Sequence, residues 1–347
     1  MLSLPTRSSL VVTGQTLIIG GIGAWIADIL GAPIAVLTGP AALVSIAALL
    51  GVRTGIDDTV RNLTFLLIGV SIGSGVDTSA TQSMLRWPLA FVVLGVMLWA
   101  TLWLCSRVLE RGFGMVRRSA YLAAARGHLS FVVSLSSALD LDTTRIVVIQ
   151  SVRLLALTLT VPVFALFMGY DLPQQIMLQG PDLAWHHLGI LLALGLVAGF
   201  ILDRFGLPAA LLIGGMVASS IGHGTGLTPG VMHPSLTFLG LMTVGTLIGA
   251  RFNGITRRAL IQSLTAGLTA TALTTSTSLL AALAVAWALE FEPAHVLVAF
   301  APGGLETMIA MGLTIGADPG FVAACHVARL LFLTVLIPAF VGRIHRQ

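Results

Sequence analysis

Arg153 and Arg329 each stand about ten residues inside a long apolar run, where an ionised side chain costs about 2.5–3.5 kcal/mol on insertion scales. Ten helical residues at 1.5 Å each cover about 15 Å, half the hydrocarbon thickness of a bilayer. A guanidinium grips carboxylate or phosphate in a two-pronged way, so two of them at mid-depth are suited to one central anion. The same side chains serve equally as structural ties, Arg329 to Glu306 and Arg153 to carbonyls of a facing hairpin. Glu306 follows Ala301-Pro302-Gly303-Gly304 by two residues, in the first turn of the helix that starts there, where orphan amides favour negative charge. It reads as a proton or cation site, as part of a solute cavity, or as a cap on its own helix. Gln150 and His326 lie three residues before each Arg and share its helix face. Arg126-Gly127-His128 occupies the place that matches Pro302-Gly303-Gly304. The candidate solute-binding set is therefore Arg329, Arg153, Glu306, Pro302, Gly303, Gly304, His326, Gln150 and His128. No catalytic residue and no metal ligand is assigned.

Other chemistries lack their residues. The chain has no P-loop, no Rossmann Gly-rich turn and no serine-hydrolase elbow. His186, His187, His223, His233 and His295 show no ligand spacing on one helix and read as loop histidines. Cys105 and Cys325 sit inside apolar runs, which excludes a disulfide framework or a CxxC metal site. Asp142 and Asp318 precede helices, and Asp318-Pro319 is the pattern of a cap followed by Pro at the first helical position.

The elements that must position these groups follow from composition. The 347 residues are 56% hydrophobic and 9% charged, against about 25% charged in a soluble domain. The mean hydropathy of +0.99 places the chain in a bilayer and excludes a soluble enzyme or a nucleic-acid module. The net charge of +4 comes from Arg alone, scattered between apolar runs with no basic face. Arg7 precedes the first apolar run, which reads as a membrane helix rather than a removed leader.

The chain is duplicated. Gly31, Pro33, Ala35, Leu37 and Gly39 recur as Gly206, Pro208, Ala210, Leu212 and Gly214, and Gly69 and Gly73 as Gly245 and Gly249. Gly127, Leu129, Asp142, Arg153, Leu154, Leu155, Leu157, Thr158 and Pro162 recur as Gly303, Leu305, Asp318, Arg329, Leu330, Leu331, Leu333, Thr334 and Pro338. An offset of 175 or 176 holds across these landmarks, a register that chance apolar matches do not keep. Residues 1–170 form a first membrane repeat, 171–183 an inter-repeat loop and 184–347 a second repeat.

Each half has six apolar segments, near 10–29, 33–51, 62–76, 87–106, 119–139 and 144–168, then 185–202, 207–221, 235–250, 262–289, 295–315 and 319–341. Cytoplasmic loops accumulate Arg, and the equivalent loops carry opposite charge patterns. Arg107, Arg111, Arg117 and Arg118 answer to Glu290 and Glu292, while Asp77 and Arg86 answer to Arg251, Arg257 and Arg258. If the fifth segment of each half is a hairpin that enters and leaves by one face, the Arg-rich loops and both termini are cytoplasmic and only Arg86 falls outside. The Pro302-Gly303-Gly304 interruption supports that hairpin, since broken backbone at membrane depth occurs where it is buried in protein or lines a cavity. The expected fold is all-α and polytopic, with two inverted-topology repeats, about ten transmembrane helices and two re-entrant hairpin segments.

The Gly-Ala-Pro-Ile-Ala-x-Leu-x-Gly-Pro run at 31–40, Ala-Pro-Gly-Gly-Leu-Glu-Thr-Met at 301–308, Gly-Ala-Asp-Pro at 316–319 and His-x-x-Arg-Leu at 326–330 resemble the AbrB family of bacterial membrane proteins. The resemblance covers nearly the whole chain, and the family is named for a duplicated domain. Its members carry the labels ammonia monooxygenase or regulator of gene expression. The first half departs from the pattern, reading Arg126-Gly127-His128-Leu129-Ser130, which points to the second half as the main site.

These observations converge on an inner-membrane secondary transporter of a small anionic solute, not an enzyme. Inverted repeats with broken segments near the midplane are the build of such carriers. The alternatives are a membrane regulator of gene expression and a membrane-bound monooxygenase. Expected partners are the solute, the lipid bilayer, a coupling proton or sodium ion and a second copy in a homodimer, without nucleic acid or cofactor. Cysteine-accessibility labelling is expected to place residues 111–118 and 252–258 on the same, cytoplasmic face; labelling from opposite faces overturns the topology.

Overall fold

The computed structural model describes residues 5–74, 87–125, 129–167, 169, 180–207 and 209–343. Fourteen helices run through these residues in two matching series. The first half gives α1 (Arg7–Ile29), α2 (Ala35–Leu49), α3 (Asp58–Gly73), α4 (Trp87–Phe113), α5 (Arg117–Ala124), α6 (Leu129–Ala138) and α7 (Thr143–Phe167). The second gives α8 (Trp185–Arg204), α9 (Ala210–Gly224), α10 (Pro234–Ala250), α11 (Arg257–Leu289), α12 (Pro293–Phe300), α13 (Leu305–Thr314) and α14 (Pro319–Arg343). Three helices, one long helix, a broken pair and a final long helix make up each half. The broken pairs α5–α6 and α12–α13 stand where the hairpins were expected.

Six helices (α1, α4, α7, α8, α11 and α14) contain stretches long and apolar enough to cross a bilayer. Their outward faces carry Trp25, Trp99, Trp287, Leu283 and Val335, all exposed, as a lipid-facing surface requires. The remaining single helices, α2, α3, α9 and α10, have 15–17 residues. The protein is thus an all-α, multi-pass membrane protein.

The chain divides into two compact units, each drawing on both halves. The first holds α1–α3, α8–α10 and α13; the second holds α4–α6, α11, α12 and most of α7 and α14.

In the first unit the repeated glycines are helix-crossing points. A Cβ on Gly69 of α3 would overlap the Leu212 carbonyl of α9, and its counterpart on Gly245 of α10 would overlap the Leu37 carbonyl of α2. Gly73 meets the Met216 carbonyl, and Gly249 meets Ala41 and Val44. Each contact in one half has its equivalent in the other. The Gly20–Gly23 run packs likewise, Gly20 on Thr246 and Gly23 on Gly39. Backbones that approach this closely associate by dispersion where lipid removes the hydrophobic drive.

The relative direction of the halves can be read inside this unit. Gly240 of α10 sits on Ile68 of α3, and the Thr237 hydroxyl lies 3.4 Å from the Ser71 hydroxyl. Three residues forward on α3 is three residues back on α10, so these equivalent helices run antiparallel. The second unit repeats the relation. Thr101 of α4 donates to Thr277 of α11 at 2.8 Å, and these two residues are 176 positions apart, each the equivalent of the other. Forward of Thr101 on α4, Leu102, Cys105 and Leu109 share one buried core with Ala266 and Ala270, which lie back from Thr277 on α11, so the pair is antiparallel. Equivalent helices running oppositely side by side are what inverted repeats require.

Turns are duplicated too. Gly31 and Gly206 have φ of 67° and 70°, and Ile34 and Ala209 have φ of 49° and 51°. A branched Ile in the left-handed region is strained, and full burial of Ile34 holds it there. The strand-like segment before α3 is tied to α1, with the Asp57 amide on Thr13 at 2.8 Å and the Gly55 amide on Thr16 at 3.0 Å. Hydrogen bonds from the Ser9 hydroxyl and the Thr59 amide hold the Asp57 carboxyl below the usual range. The caps read from sequence are present: Asp142 accepts from the Arg145 amide and Asp318 from the Gly320 amide.

Gly69→Val and Gly245→Val are expected to lower thermal stability in detergent by about 1–3 kcal/mol through overpacking, while Gly112→Ala, with open space around it, leaves it unchanged. Equal melting of all three variants would overturn the crossing assignment.

Candidate functional site

The broken helices of the second unit are the feature that needs explaining. α12 ends at Ala301, which is extended with φ −57° and ψ 142°, and α5 ends at the equivalent Ala125 with φ −62° and ψ 129°. Ala301 precedes Pro302, whose ring pushes the preceding residue out of the helical region. Ala125 adopts the same conformation without a proline after it. A helix that stops inside the protein leaves its last carbonyls unpaired, and water cannot reach them in a bilayer.

Arginine supplies the missing donors in both halves. Arg329 of α14 donates from Nη1 to the Ala301 carbonyl at 2.8 Å and from Nη2 to the Gly303 carbonyl at 3.0 Å. Arg153 of α7 donates from Nη2 to the Ala125 carbonyl at 3.3 Å. Both side chains are buried, with 2% and 4% of their surface exposed. The equivalent arginine thus reaches the equivalent carbonyl. A guanidinium suits the task because its planar fork spans two oxygens at once and stays charged. Each Arg is the eleventh residue of its helix, in keeping with the position read from sequence.

The neighbouring stripe is present as well, with a difference between halves. Gln150 donates from Nε2 to the Leu122 carbonyl of α5 at 2.9 Å, adding a second tie one turn before Arg153. The equivalent His326 turns Nδ1 onto Val322 of its own helix at 3.0 Å and is fully buried. Pro302 and Gly303 are buried and Gly304 is half-buried.

Glu306 is the second residue of α13 and so lies in its first turn; its side chain falls outside the described residues. His128, with Arg126 and Gly127, also lies outside them. Of the nine candidate residues, Arg329, Gly303 and, by chain continuity, Pro302 and Gly304 gather at one break. Arg153 and Gln150 gather at the other. Sequence reading offered hairpin carbonyls as the partners of Arg153, but which ones, Ala125 for Arg153, Leu122 for Gln150 and Ala301 for Arg329, it missed, because a carbonyl carries no residue-type signal. The offset of 28 between Ala125 and Arg153, repeated between Ala301 and Arg329, was the available clue.

The histidines read as loop residues lie mostly in helices: His186 and His187 in the first turn of α8, His223 in the last turn of α9 and His295 in the first turn of α12, with His233 just before α10. His223 bridges the Ser219 and Gly230 carbonyls at 2.8 Å each, and His233 caps α10 by accepting from the Ser235 amide. Among the described residues no group of three or more His, Cys, Asp or Glu converges.

Arg329→Ala and Arg153→Ala are each expected to destabilise the protein, since each removes a charged donor from a buried carbonyl, a bond worth about 1.5–3 kcal/mol. Thermal unfolding of both variants in detergent checks this, and an absent shift in either contradicts the assignment of that arginine as a carbonyl tie.

Comparison with known proteins agrees with this architecture. A family model described as "Transition state regulatory protein AbrB" matches residues 36–345. The chain is also similar to the uncharacterized protein YhjN of Bacillus subtilis (strain 168), 23% identical over 309 residues, which cover 81% of this chain and 77% of that protein. With the family match extending from α2 into α14, over both repeats and both broken helices, the chain belongs to the AbrB family.

Proposed function

We propose that this protein is a secondary transporter of a small anionic solute, and that it is a carrier rather than an enzyme. The observation that carries the reading is the pair of equivalent helix breaks, each held by an equivalent buried arginine, in a chain whose equivalent helices run antiparallel. Carriers use such discontinuous helices because the freed backbone groups and half-helix ends meet a solute near mid-depth. Arg329 and Arg153 bring positive charge to the breaks, and an anion competes with the carbonyls for the same N–H donors. Glu306, next in the chain after the Pro302-Gly303-Gly304 break, is the proposed proton or sodium site. In this reading the protein sits in the bacterial inner membrane with both termini cytoplasmic, and it works as a homodimer.

The description of the family model speaks of regulation. A carrier that sets the level of a metabolite has regulatory consequences without binding nucleic acid. Uptake of labelled carboxylates and phosphate into proteoliposomes tests the reading. Arg329→Ala and Glu306→Gln are expected to reduce uptake at least tenfold, and wild-type rates in both variants would contradict the site.

A further inference from the structure

At one equivalent pair of buried positions the repeats differ, and there a polar atom has no hydrogen-bond partner among the described residues. Gln150 of α7 is satisfied by donating to the Leu122 carbonyl of α5. Its equivalent is His326 of α14, and the equivalent of Leu122 is Val298 of α12. His326 instead directs Nδ1 at the Val322 carbonyl, 3.0 Å away on its own helix. A carbonyl oxygen only accepts, so Nδ1 carries the proton, and in the neutral ring Nε2 is a bare acceptor lone pair. The ring is fully buried, and among the described residues Nε2 meets no hydrogen-bond partner.

Such an atom is costly to keep in a protein interior and calls for an explanation. Another carbonyl cannot supply one, because two acceptors do not bond; the missing group must be a donor. Three residues further along the same face is Arg329, whose guanidinium reaches the Ala301 and Gly303 carbonyls at the helix break. Residues three apart on a helix are neighbours, about 5–6 Å between their Cβ atoms. A cationic fork and a lone-pair acceptor therefore lie on one face of α14, three residues apart.

We propose that His326 Nε2 and the Arg329 guanidinium form the recognition pair of the second repeat, and that the solute is a small carboxylate carrying an adjacent O–H or N–H donor: a hydroxy acid or an amino acid. The inference rests on the carrier reading and adds the class of solute to it. The carboxylate takes the guanidinium, and the donor takes Nε2. A carboxylate without the donor leaves Nε2 unpaired at the moment of binding, and sites built to bond a substrate hydroxyl reject analogues that lack it. In the first repeat the equivalent Gln150 turns its Nε2 donor to the Leu122 carbonyl.

The test uses the full chain in detergent and in proteoliposomes, with matched probes: lactate against propionate, malate against succinate, and glycine against acetate. Thermal shift and uptake are read for wild type, His326→Leu and His326→Phe. Both replacements fill the buried site without a hydrogen-bond acceptor, and they differ in shape, so a folding failure in one variant leaves the other. At least one donor-bearing probe is expected to bind and be taken up about tenfold or more better than its partner. That preference falls to near parity in either variant while the melting temperature without probe is retained. If anions bind and move but the preference is absent, or survives in both His326 variants, the recognition pair is wrong and the carrier reading stands. If no member of any pair binds or moves in the wild type while phosphate does, the solute class is wrong and the carrier reading stands; if phosphate fails as well, both fall.

Discussion

A helix interrupted inside hydrocarbon has carbonyl oxygens that water cannot reach, and the organisation of this protein follows from how they are satisfied. In a soluble protein the end of α12 at Ala301 would be hydrated. Here a guanidinium eleven residues into the following long helix reaches back to it. That solution requires a charged side chain at mid-depth, which is itself expensive unless hydrogen-bonded. The break and the arginine each make the other tolerable, so neither is replaceable alone. The same exchange is made at Ala125 by Arg153, which places the device before the duplication rather than after it.

Inversion then supplies the rest of the architecture. Because equivalent helices run antiparallel, α3 against α10 and α4 against α11, each repeat presents to the other a surface of the same shape in the opposite sense. Residues on such a seam meet their own equivalents, as Thr101 meets Thr277. Small residues are needed wherever backbones cross, which is why Gly69, Gly73, Gly245 and Gly249 survive in register. The compact units are not the repeats: each is built from both halves, so the spatial division cuts across the one in the sequence.

Departures from symmetry mark where the two repeats have taken different work. Pro302-Gly303-Gly304 answers to Arg126-Gly127-His128, and His326 answers to Gln150. At the second of these positions the first repeat closes a hydrogen bond between helices, whereas His326 turns its Nδ1 to its own helix and its Nε2 meets no partner among the described residues.

Much of this was legible in the residues. Hydropathy and charge assigned the bilayer as solvent, because no soluble core accommodates so many apolar residues. The constant offset exposed the duplication, since register is preserved only where packing demands it. Loop arginines pointed to inversion through the bias in how charged loops are retained in the cytoplasm. The Pro-Gly-Gly run announced a broken helix because it removes a donor and loosens the backbone, and the depth of Arg153 and Arg329 followed from helical rise. That Arg153 ties carbonyls of a facing hairpin was legible; which carbonyls it holds, and that Arg329 holds carbonyls too, was not. Their partners are main-chain carbonyls 28 residues away, and every residue has a carbonyl. The tautomer of His326 was also hidden, because it depends on which oxygen lies opposite each ring nitrogen. Residue type determined where polar groups would enter the membrane, and only the tertiary structure decided which of them meet, since hydrogen bonding is a matter of distance and direction that composition does not encode.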